Sequence, residues 1–223
     1  VNGVLLTGGG KFGQFTGHLT LQLDDEGRLL KQDEMIENAL LPEMEQETKS
    51  LHHLYEQGKK QLEAPLFQLT KTYHKEWFHR SQLSDLFAEA LFDYVDADCA
   101  MFNAGIFVND LAKGYVSAYT IHKTLPHPIN VCVIECTGSE LKEMYIESQN
   151  EEWPRLELKG LGFRGVIFGK LLHYGLTMNN RRQLFVNGEP VQPDKVYRLA
   201  TLDVFTFGYF FPNLKYAKKQ YIL

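Results

Sequence analysis

The first 32 residues read as β-strands, with a glycine-rich turn at 8–13 and an alternation of apolar and polar positions after it. The alternation is clearest in FTGHLTLQL at 15–23, and RLLKQ follows at 28–32. Between them the DDEGR segment at 24–28 has the composition of a tight turn. This pattern predicts a β-hairpin near the start of the chain.

A helical period replaces this alternation after residue 40. Pro42 suits the first position of a helix, and the opposite face carries Glu, Gln and Lys. The positions that recur near the 3.6-residue period are Met44, Thr48, Leu51, Tyr55 and Leu62. We therefore predict a partly exposed connecting helix over 41–62, between two strand-rich blocks.

Strand and helix patterns alternate beyond residue 62. Ser81 is suited to cap a helix, and Thr137 with Glu140 forms a capping box that predicts another helix up to about Ser148. The first of these helices should turn one apolar face inward: Leu83, Leu86, Phe87, Ala90, Leu91 and Tyr94. INVCVIEC at 129–136 is apolar on both alternating faces, which is typical of a buried central strand.

Later segments read as short strands. They lie near 171–178, 183–187 and 196–202. Asn187-Gly188 is the preferred sequence of a type I′ turn and predicts a hairpin there. The mixture of strands and helices predicts an α+β fold.

Composition narrows the function classes. The 223 residues are 44% hydrophobic and 13% aromatic, which is ample for a packed core and excludes disorder. A net charge of −5 at pH 7 disfavours a protein that follows a nucleic-acid backbone. No apolar run approaches the roughly 18 residues of a membrane span. We expect neither nucleic acid nor a membrane as a partner.

The three cysteines do not suggest a disulfide framework. Cys132 and Cys136 are four positions apart on one predicted strand, which is too far to bridge at about 3.3 Å per residue. Cys99 lies in a predicted core strand and should be a buried, inert thiol. This usage favours a reducing compartment, and we expect the cytoplasm.

The chain lacks the signatures of phosphate-ester hydrolysis. A two-metal hydrolase needs clustered Asp, His and Asn ligands, with D-x-H, G-D-x-x-D and G-N-H-[ED] as local patterns, and none of these occurs. No G-x-S-x-G nucleophile elbow is present either. We therefore expect no catalytic residue, no metal ligand and no cofactor in this chain, which should be inactive by itself.

Four segments, in a fixed order, carry a resemblance to a known family. They are NAGIF at 103–107, LPHP at 125–128, the apolar strand ending at Thr137-Gly138, and NGEPVQPDKVYRLATLD at 187–203. Together they resemble the C-terminal domain of the 5′-nucleotidase family, which includes bacterial UDP-sugar hydrolases and 2′,3′-cyclic-nucleotide phosphodiesterases. The resemblance implies an α+β domain of mixed β-sheets layered with helices, preceded by a connecting helix.

The resemblance also implies a domain organisation. Residues 1–32 look like the tail of a metallophosphatase domain, 33–62 like a connecting helix, and 63–223 like the substrate-binding C-terminal domain. The hydrolytic metals, which are divalent, are then expected in a metallophosphatase domain outside this sequence. That domain and a nucleotide or nucleoside-like molecule are the expected partners.

In the family, two aromatic rings sandwich a base and arginines hold the phosphates. Here Phe107 stands where a phosphate-binding arginine is expected, and His127 stands where a stacking phenylalanine is expected. Val204 takes the second stacking position, with Phe205 next to it. The resemblance implies Asn103 as turn former and hydrogen-bonding group, Phe107, His127 and Phe205 as ligand-facing rings, and Asp203 as a polar contact. Fewer arginines and more aromatic rings suggest a less anionic ligand.

Three functions remain open at this point. The first is a substrate-positioning domain of a 5′-nucleotidase-like metallophosphoesterase that hydrolyses nucleotides or related phosphate esters. The second is an accessory domain that has lost nucleotide binding and only stabilises the phosphatase domain, which the changes at 107, 127 and 204–211 favour. The third is an independent enzyme with His79, His127 and Asp203 as an acid–base set.

Overall fold

The chain folds into two compact units in a computed structural model, residues 1–58 and residues 59–223. The structure describes residues 8, 15–38, 48–158, 160, 162–216 and 218–221. The α-helices in these ranges are α1 (Thr48–Leu62), α2 (Gln82–Tyr94), α3 (Ala118–Thr124) and α4 (Gly138–Glu147). The strands in the same ranges are β1 (Phe15–Leu23), β2 (Leu29–Asn38), β3 (Pro65–Leu69), β4 (Cys99–Asn103), β5 (Gly114–Ser117), β6 (Val131–Thr137), β7 (Leu171–Tyr174), β8 (Leu176–Met178), β9 (Leu184–Val186), β10 (Glu189–Pro190), β11 (Val196–Leu202) and β12 (Lys218–Tyr221). The fold is α+β, as the sequence predicts.

The first unit contains the predicted hairpin, in which β1 pairs antiparallel with β2. Asp24 closes the turn because its Oδ1 accepts hydrogen bonds from the backbone N–H groups of Glu26 and Arg28, at 3.0 and 2.7 Å. The Arg28 side chain also donates to this carboxylate and lowers its pKa. Strand β2 runs to Asn38, beyond the RLLKQ segment at 28–32 in which a strand was predicted.

Helix α1 confirms the helical period for residues 48–62. Residues 41–47 of the expected helix lie outside the described residues. The assignment of residues 1–32 to a metallophosphatase domain stays a prediction.

A mixed five-stranded sheet forms the centre of the second unit, in the order β12-β6-β11-β4-β7. Strand β11 pairs antiparallel with β6 and parallel with β4. The register places Ala100 of β4 between Ala200 of β11 and Tyr174 of β7. Strand β6 is internal and mostly buried, which confirms its prediction as a central strand.

Two smaller sheets accompany it, β10-β9-β8 and β3-β5. Between β9 and β10, Asn187 and Gly188 both have positive φ angles, 50° and 86°. A type I′ turn requires positive φ at both central residues, so the predicted hairpin is confirmed.

Side-chain caps begin the helices of the second unit. Ser81 caps α2 as predicted and forms a capping box there with Ser84, and Thr137 and Glu140 form the predicted box at the start of α4. Helix α3 begins at a third box around Ser117 and was not predicted, because its seven residues are too short to show a period.

An aromatic cluster fills one end of the core. Phe168 stacks on Phe210 with ring centroids 4.6 Å apart, and Phe205 packs edge-to-face on Phe168 and Phe211 at 5.9 and 5.7 Å. Trp153 closes the group against Phe211. This packing explains why so many aromatic residues occur near the end of the chain.

Candidate substrate-binding site

The NAGIF turn is built around one carbonyl oxygen. Asn103 ends β4 fully enclosed, and its side-chain Nδ2 donates to the carbonyl oxygen of Phe168 at 2.6 Å. The backbone N–H of Gly105 donates to the same oxygen at 2.9 Å. A Cβ on Gly105 would collide with the carbonyl groups of Ile167 and Phe168, so the close approach requires glycine. The Asn103 amide therefore holds the turn, as expected of a turn former.

Phe107, the last residue of the NAGIF turn, lies inside the core. Its ring is fully buried and packs edge-to-face on Phe87 and Phe102 at 5.6 and 6.2 Å. Its carbonyl oxygen accepts a hydrogen bond from Trp77 Nε1 at 2.9 Å. The ring that replaces the expected arginine thus forms part of an apolar wall. Its ligand-facing role stays a prediction.

His127 lines a small cleft of about 180 Å³ and is half-buried. Its Nδ1 accepts a hydrogen bond from the backbone N–H of Arg164 at 2.8 Å. Its Nε2 lies 2.8 Å from the carbonyl oxygen of Ile106, which only accepts, so Nε2 carries the proton. Burial lowers the pKa of His127, and the nearby Arg164 charge adds to this. The ring is therefore uncharged near neutral pH.

The loop at 162–164, which the sequence did not indicate as part of the site, packs on this ring. Phe163 stacks on His127 with centroids 5.0 Å apart and an angle of 16° between the planes. Gly162 beside it has φ +78°, and the Arg164 side chain is exposed. The GFRG sequence of the loop combines turn-forming glycine with an aromatic and a cationic side chain, which was the available signal.

Asp203 follows β11 at the edge of the same region. Its Oδ2 accepts from Asn130 Nδ2 at 3.1 Å, and its backbone N–H donates to the carbonyl oxygen of Asn130 at 2.9 Å. The other carboxylate oxygen, Oδ1, is buried and has no hydrogen-bond partner among the described residues. The side chain is thus largely enclosed and held by Asn130. Its contact with a ligand stays a prediction.

Phe205 lies apart from the cleft. Its ring is fully buried in the aromatic cluster with Phe168, Phe210 and Phe211. The neighbouring Val204 is also buried. In this structure neither side chain presents a surface to solvent, and the proposed contact of Phe205 with a ligand stays a prediction.

Among the predicted site residues, His127 lines the cleft, and neighbours of Asn103 and Asp203 in the chain line it as well. It is lined by Phe87, Ile106, Leu125, His127, Ile129, Val131 and Leu202. Ile106 belongs to the turn that Asn103 fixes, and Leu202 directly precedes Asp203. Three segments distant in the chain therefore meet at His127, and the apolar lining suits an organic group.

Acid–base catalysis finds little support here. Both ring nitrogens of His127 are bonded to backbone groups, so the ring has no nitrogen available to exchange a proton with a substrate. This contradicts the acid–base set of His79, His127 and Asp203. Cys99 is fully buried in β4, which confirms its predicted place in a core strand, and burial raises the pKa of its thiol.

The hydrogen bond between Ser148 and His173 runs in the wrong direction to activate the serine for catalysis. Ser148 Oγ lies 2.8 Å from His173 Nε2 and donates its own proton to the Tyr145 carbonyl oxygen at 2.6 Å. The serine therefore accepts from His173 Nε2–H and is not activated by it.

Among the described residues no group of three or more His, Cys, Asp and Glu side chains is placed to hold a metal ion. None of the described helices is long and apolar enough to cross a bilayer.

These features define an α+β domain with an apolar cleft beside a stacked, uncharged histidine. The chain belongs to the family described as 5′-nucleotidase, C-terminal domain, which residues 61–209 match. It is also 32% identical over 240 residues to the uncharacterized metallophosphoesterase YunD of Bacillus subtilis (strain 168). That alignment covers all of this chain and 51% of YunD, so the chain spans about half the length of this relative.

Solved structures support the fold. A putative 5′-nucleotidase from Staphylococcus aureus superposes with a TM-score of 0.61 at 16% identity, covering 94% of this chain and 45% of that one. The 5′-nucleotidase precursor from Thermus thermophilus gives 0.59 at 16% identity, with 94% and 44% covered. Haemophilus influenzae NAD nucleotidase gives 0.55 at 15%, with 90% and 42% covered. At these identities the likeness concerns the fold alone.

Proposed function

We propose that this domain positions the organic part of a phosphate ester for hydrolysis by a metallophosphoesterase domain in a longer protein. The longer protein would hydrolyse nucleotides or related phosphate esters with divalent metals held outside this chain. Two findings support this role. The chain belongs to the 5′-nucleotidase C-terminal family, and all of this chain aligns with part of a metallophosphoesterase.

The observation that carries the proposal is the setting of His127. The ring, which the family resemblance assigns to a stacking position, lines a cleft and has both nitrogens bonded to backbone groups. Such a ring is fixed in orientation and uncharged, so it offers an aromatic surface and no proton. An aromatic surface of this kind holds a flat organic group by stacking.

The charges of the site favour a ligand that is held mainly through its organic part. Phe107 replaces the expected arginine and is buried in the core. Arg164, whose backbone N–H bonds His127, has an exposed side chain with Nη1 at 3.4 Å from the Phe163 carbonyl oxygen. A nucleoside, or a phosphate ester gripped at one anionic group, suits this arrangement better than a ligand that needs several arginines.

Thermal melting of the 223-residue chain tests the proposal. We would compare nucleosides, nucleoside monophosphates, UDP-sugars and cyclic nucleotides at millimolar concentration. A ligand at 100 times its dissociation constant adds about 2.7 kcal/mol of stability, which raises the melting temperature by several degrees. His127→Ala should abolish the shift, and the matched variant His79→Ala, at an exposed position away from the cleft lining, should retain it.

The absence of any shift would overturn the gripping role and favour an accessory domain that only stabilises its neighbour. A shift that survives His127→Ala would place the binding site elsewhere. For the longer protein, phosphate release from these esters should require a divalent metal and stop on chelation, whereas this chain alone should release none.

A further inference from the structure

The apolar face of α2 is only partly covered. Leu83 and Leu91 are buried as predicted, but Leu86 and Phe87 are half-buried and Ala90 is exposed. Tyr94 at the end of the helix is 63% exposed. A helix that turns apolar side chains toward a space without filling it leaves room for another apolar group.

That space is a cleft of about 410 Å³ between α2, α3 and strand β3. It is lined by Phe67, Leu69, Leu83, Leu86, Phe87, Ala90, Phe107, Leu111, Ile121, Thr124 and Leu125. Thr124 is the one polar residue of this set, and its hydroxyl already donates to the carbonyl oxygen of Asp110 at 3.4 Å. The volume lies within the roughly 300–1,000 Å³ of ligand pockets, and the walls suit only an apolar group.

This apolar cleft adjoins the His127 cleft. Phe87 and Leu125 line both of them. The two clefts therefore meet at these two side chains, with β3 and α3 on one side and the His127 ring on the other. Phe107, at the position where the family resemblance places an arginine, contributes to the wall of the larger cleft.

A cationic side chain belongs to the loop that packs on His127. The Arg164 side chain is exposed, and its Nη1 donates to the carbonyl oxygen of Phe163 at 3.4 Å, the residue whose ring stacks on His127. Over the part of the chain that the structure describes, the arginine ion pairs are those of Arg28, Arg80 and Arg198. Arg164 forms none of these pairs, so the N–H groups of its guanidinium that do not contact Phe163 can donate to an anionic group of a ligand.

We infer that the two clefts together bind an amphiphilic phosphate ester, with its apolar chain in the larger cleft and its anionic head beside Arg164. This inference rests on the proposed function, because it takes the domain to hold the organic part of a phosphate ester. It names the class of that ester as one with an alkyl or isoprenoid-like chain. The two apolar clefts match the chain of such a molecule, and the Arg164 guanidinium matches its anionic head.

A series of alkyl phosphates of increasing chain length tests the inference by isothermal titration calorimetry. The 223-residue chain would be titrated with butyl, hexyl, octyl and decyl phosphate below their micelle concentrations. Each methylene that enters the cleft should raise the affinity roughly fourfold. Binding should also show a negative heat-capacity change, as apolar burial requires.

Two variants locate the chain and the head of the ligand. Ala90→Trp fills the larger cleft and should remove the dependence on chain length. Its matched control is Glu89→Trp on the exposed surface of the same helix, outside the cleft lining, and should bind like the original chain. Arg164→Gln should weaken the alkyl phosphates about tenfold while leaving the corresponding alcohols unchanged.

Affinity that does not depend on chain length, or equal effects of Ala90→Trp and Glu89→Trp, would overturn the inference. If nucleosides bind through His127 and alkyl phosphates do not, the proposed function stands and the amphiphilic substrate is excluded. If neither class of compound binds, both the proposed function and this inference fail.

Discussion

The backbone N–H of Arg164 donates a hydrogen bond to Nδ1 of His127 at 2.8 Å. The opposite nitrogen of the ring bonds the Ile106 carbonyl oxygen, so one imidazole joins the 162–164 loop to the NAGIF turn. A phenylalanine at this position has no nitrogen and makes neither bond. Histidine at position 127 therefore couples two segments of the cleft in addition to providing an aromatic surface.

His127→Phe measures the strength of this coupling. The variant keeps an aromatic ring against Phe163 but leaves the Arg164 N–H and the Ile106 carbonyl oxygen without their partner. We expect a loss of about 1–2 kcal/mol in the free energy of unfolding, measured with urea. The control is His122→Phe at an exposed site on α3, which should change stability by less than about 0.5 kcal/mol. Equal effects of the two substitutions would show that the two bonds add nothing.

Gly105→Ala tests the close approach of the NAGIF turn to the 167–168 backbone. The added Cβ would meet two carbonyl groups, which are backbone atoms that cannot rotate away, so we expect a loss of more than about 3 kcal/mol or failure to fold. Gly58→Ala is the matched control. A Cβ there meets nothing within 4 Å in α1, and alanine should stabilise the helix by about 0.5–1 kcal/mol.

Asn103 supplies a second test of the same turn. Asn103→Ala removes the hydrogen bond to the buried Phe168 carbonyl oxygen, which keeps its bond from Gly105, so the cost should be about 1–2 kcal/mol. Asn103→Asp places a carboxylate against that carbonyl and should cost more. If both variants unfold at the same urea concentration as the original chain, the side-chain hydrogen bond does not hold the turn.

The stability of the chain should fall in mild acid because of His173. Burial lowers the pKa of His173 to about 4, against about 6.5 in an unfolded chain. Between these values the unfolded state binds more protons, so stability rises with pH. The contribution is complete above about pH 6.5, where it is about 3 kcal/mol, and disappears as pH falls through about 4. Lowering of the His127 pKa acts in the same direction.

Unfolding of His173→Gln with urea at pH 7 and pH 4 isolates this contribution. The variant should lose less stability between the two pH values than the original chain, because glutamine does not titrate and carboxylate effects are common to both. The same loss in both proteins would contradict a buried, neutral His173.

The sequence predicts the elements that obey local rules. Ser81, Thr137 and the Asn187-Gly188 pair are confirmed because a cap or a type I′ turn depends on neighbours within four positions. The central position of β6 is confirmed because apolar residues on both alternating faces are typical of a strand inside a sheet. Helix α3 and the extension of β2 to Asn38 escape prediction, since a short or polar element shows no clear period.

The site was only partly predictable, because its groups come together through tertiary contacts. The family resemblance singled out His127. No residue near it in the sequence indicates that Phe163 stacks on its ring or that the Arg164 N–H bonds to it, because these two residues lie 36 and 37 positions further along the chain. Phe205 shows the reverse case. A position adjacent to a family motif does not reveal whether the ring faces a ligand or the core, and here packing places it in the core.

The most direct test of the account is a titration followed by the NMR signal of the His127 imidazole Cε1–H. Phosphate esters and nucleosides would be added to the 223-residue chain, with His173 as an internal reference outside the cleft lining. We predict a saturable shift of the His127 signal with at least one of these ligands and no shift of the His173 signal. A His127 signal that stays unchanged while a ligand binds, or the absence of binding by every ligand, would contradict a substrate-positioning domain built around this ring.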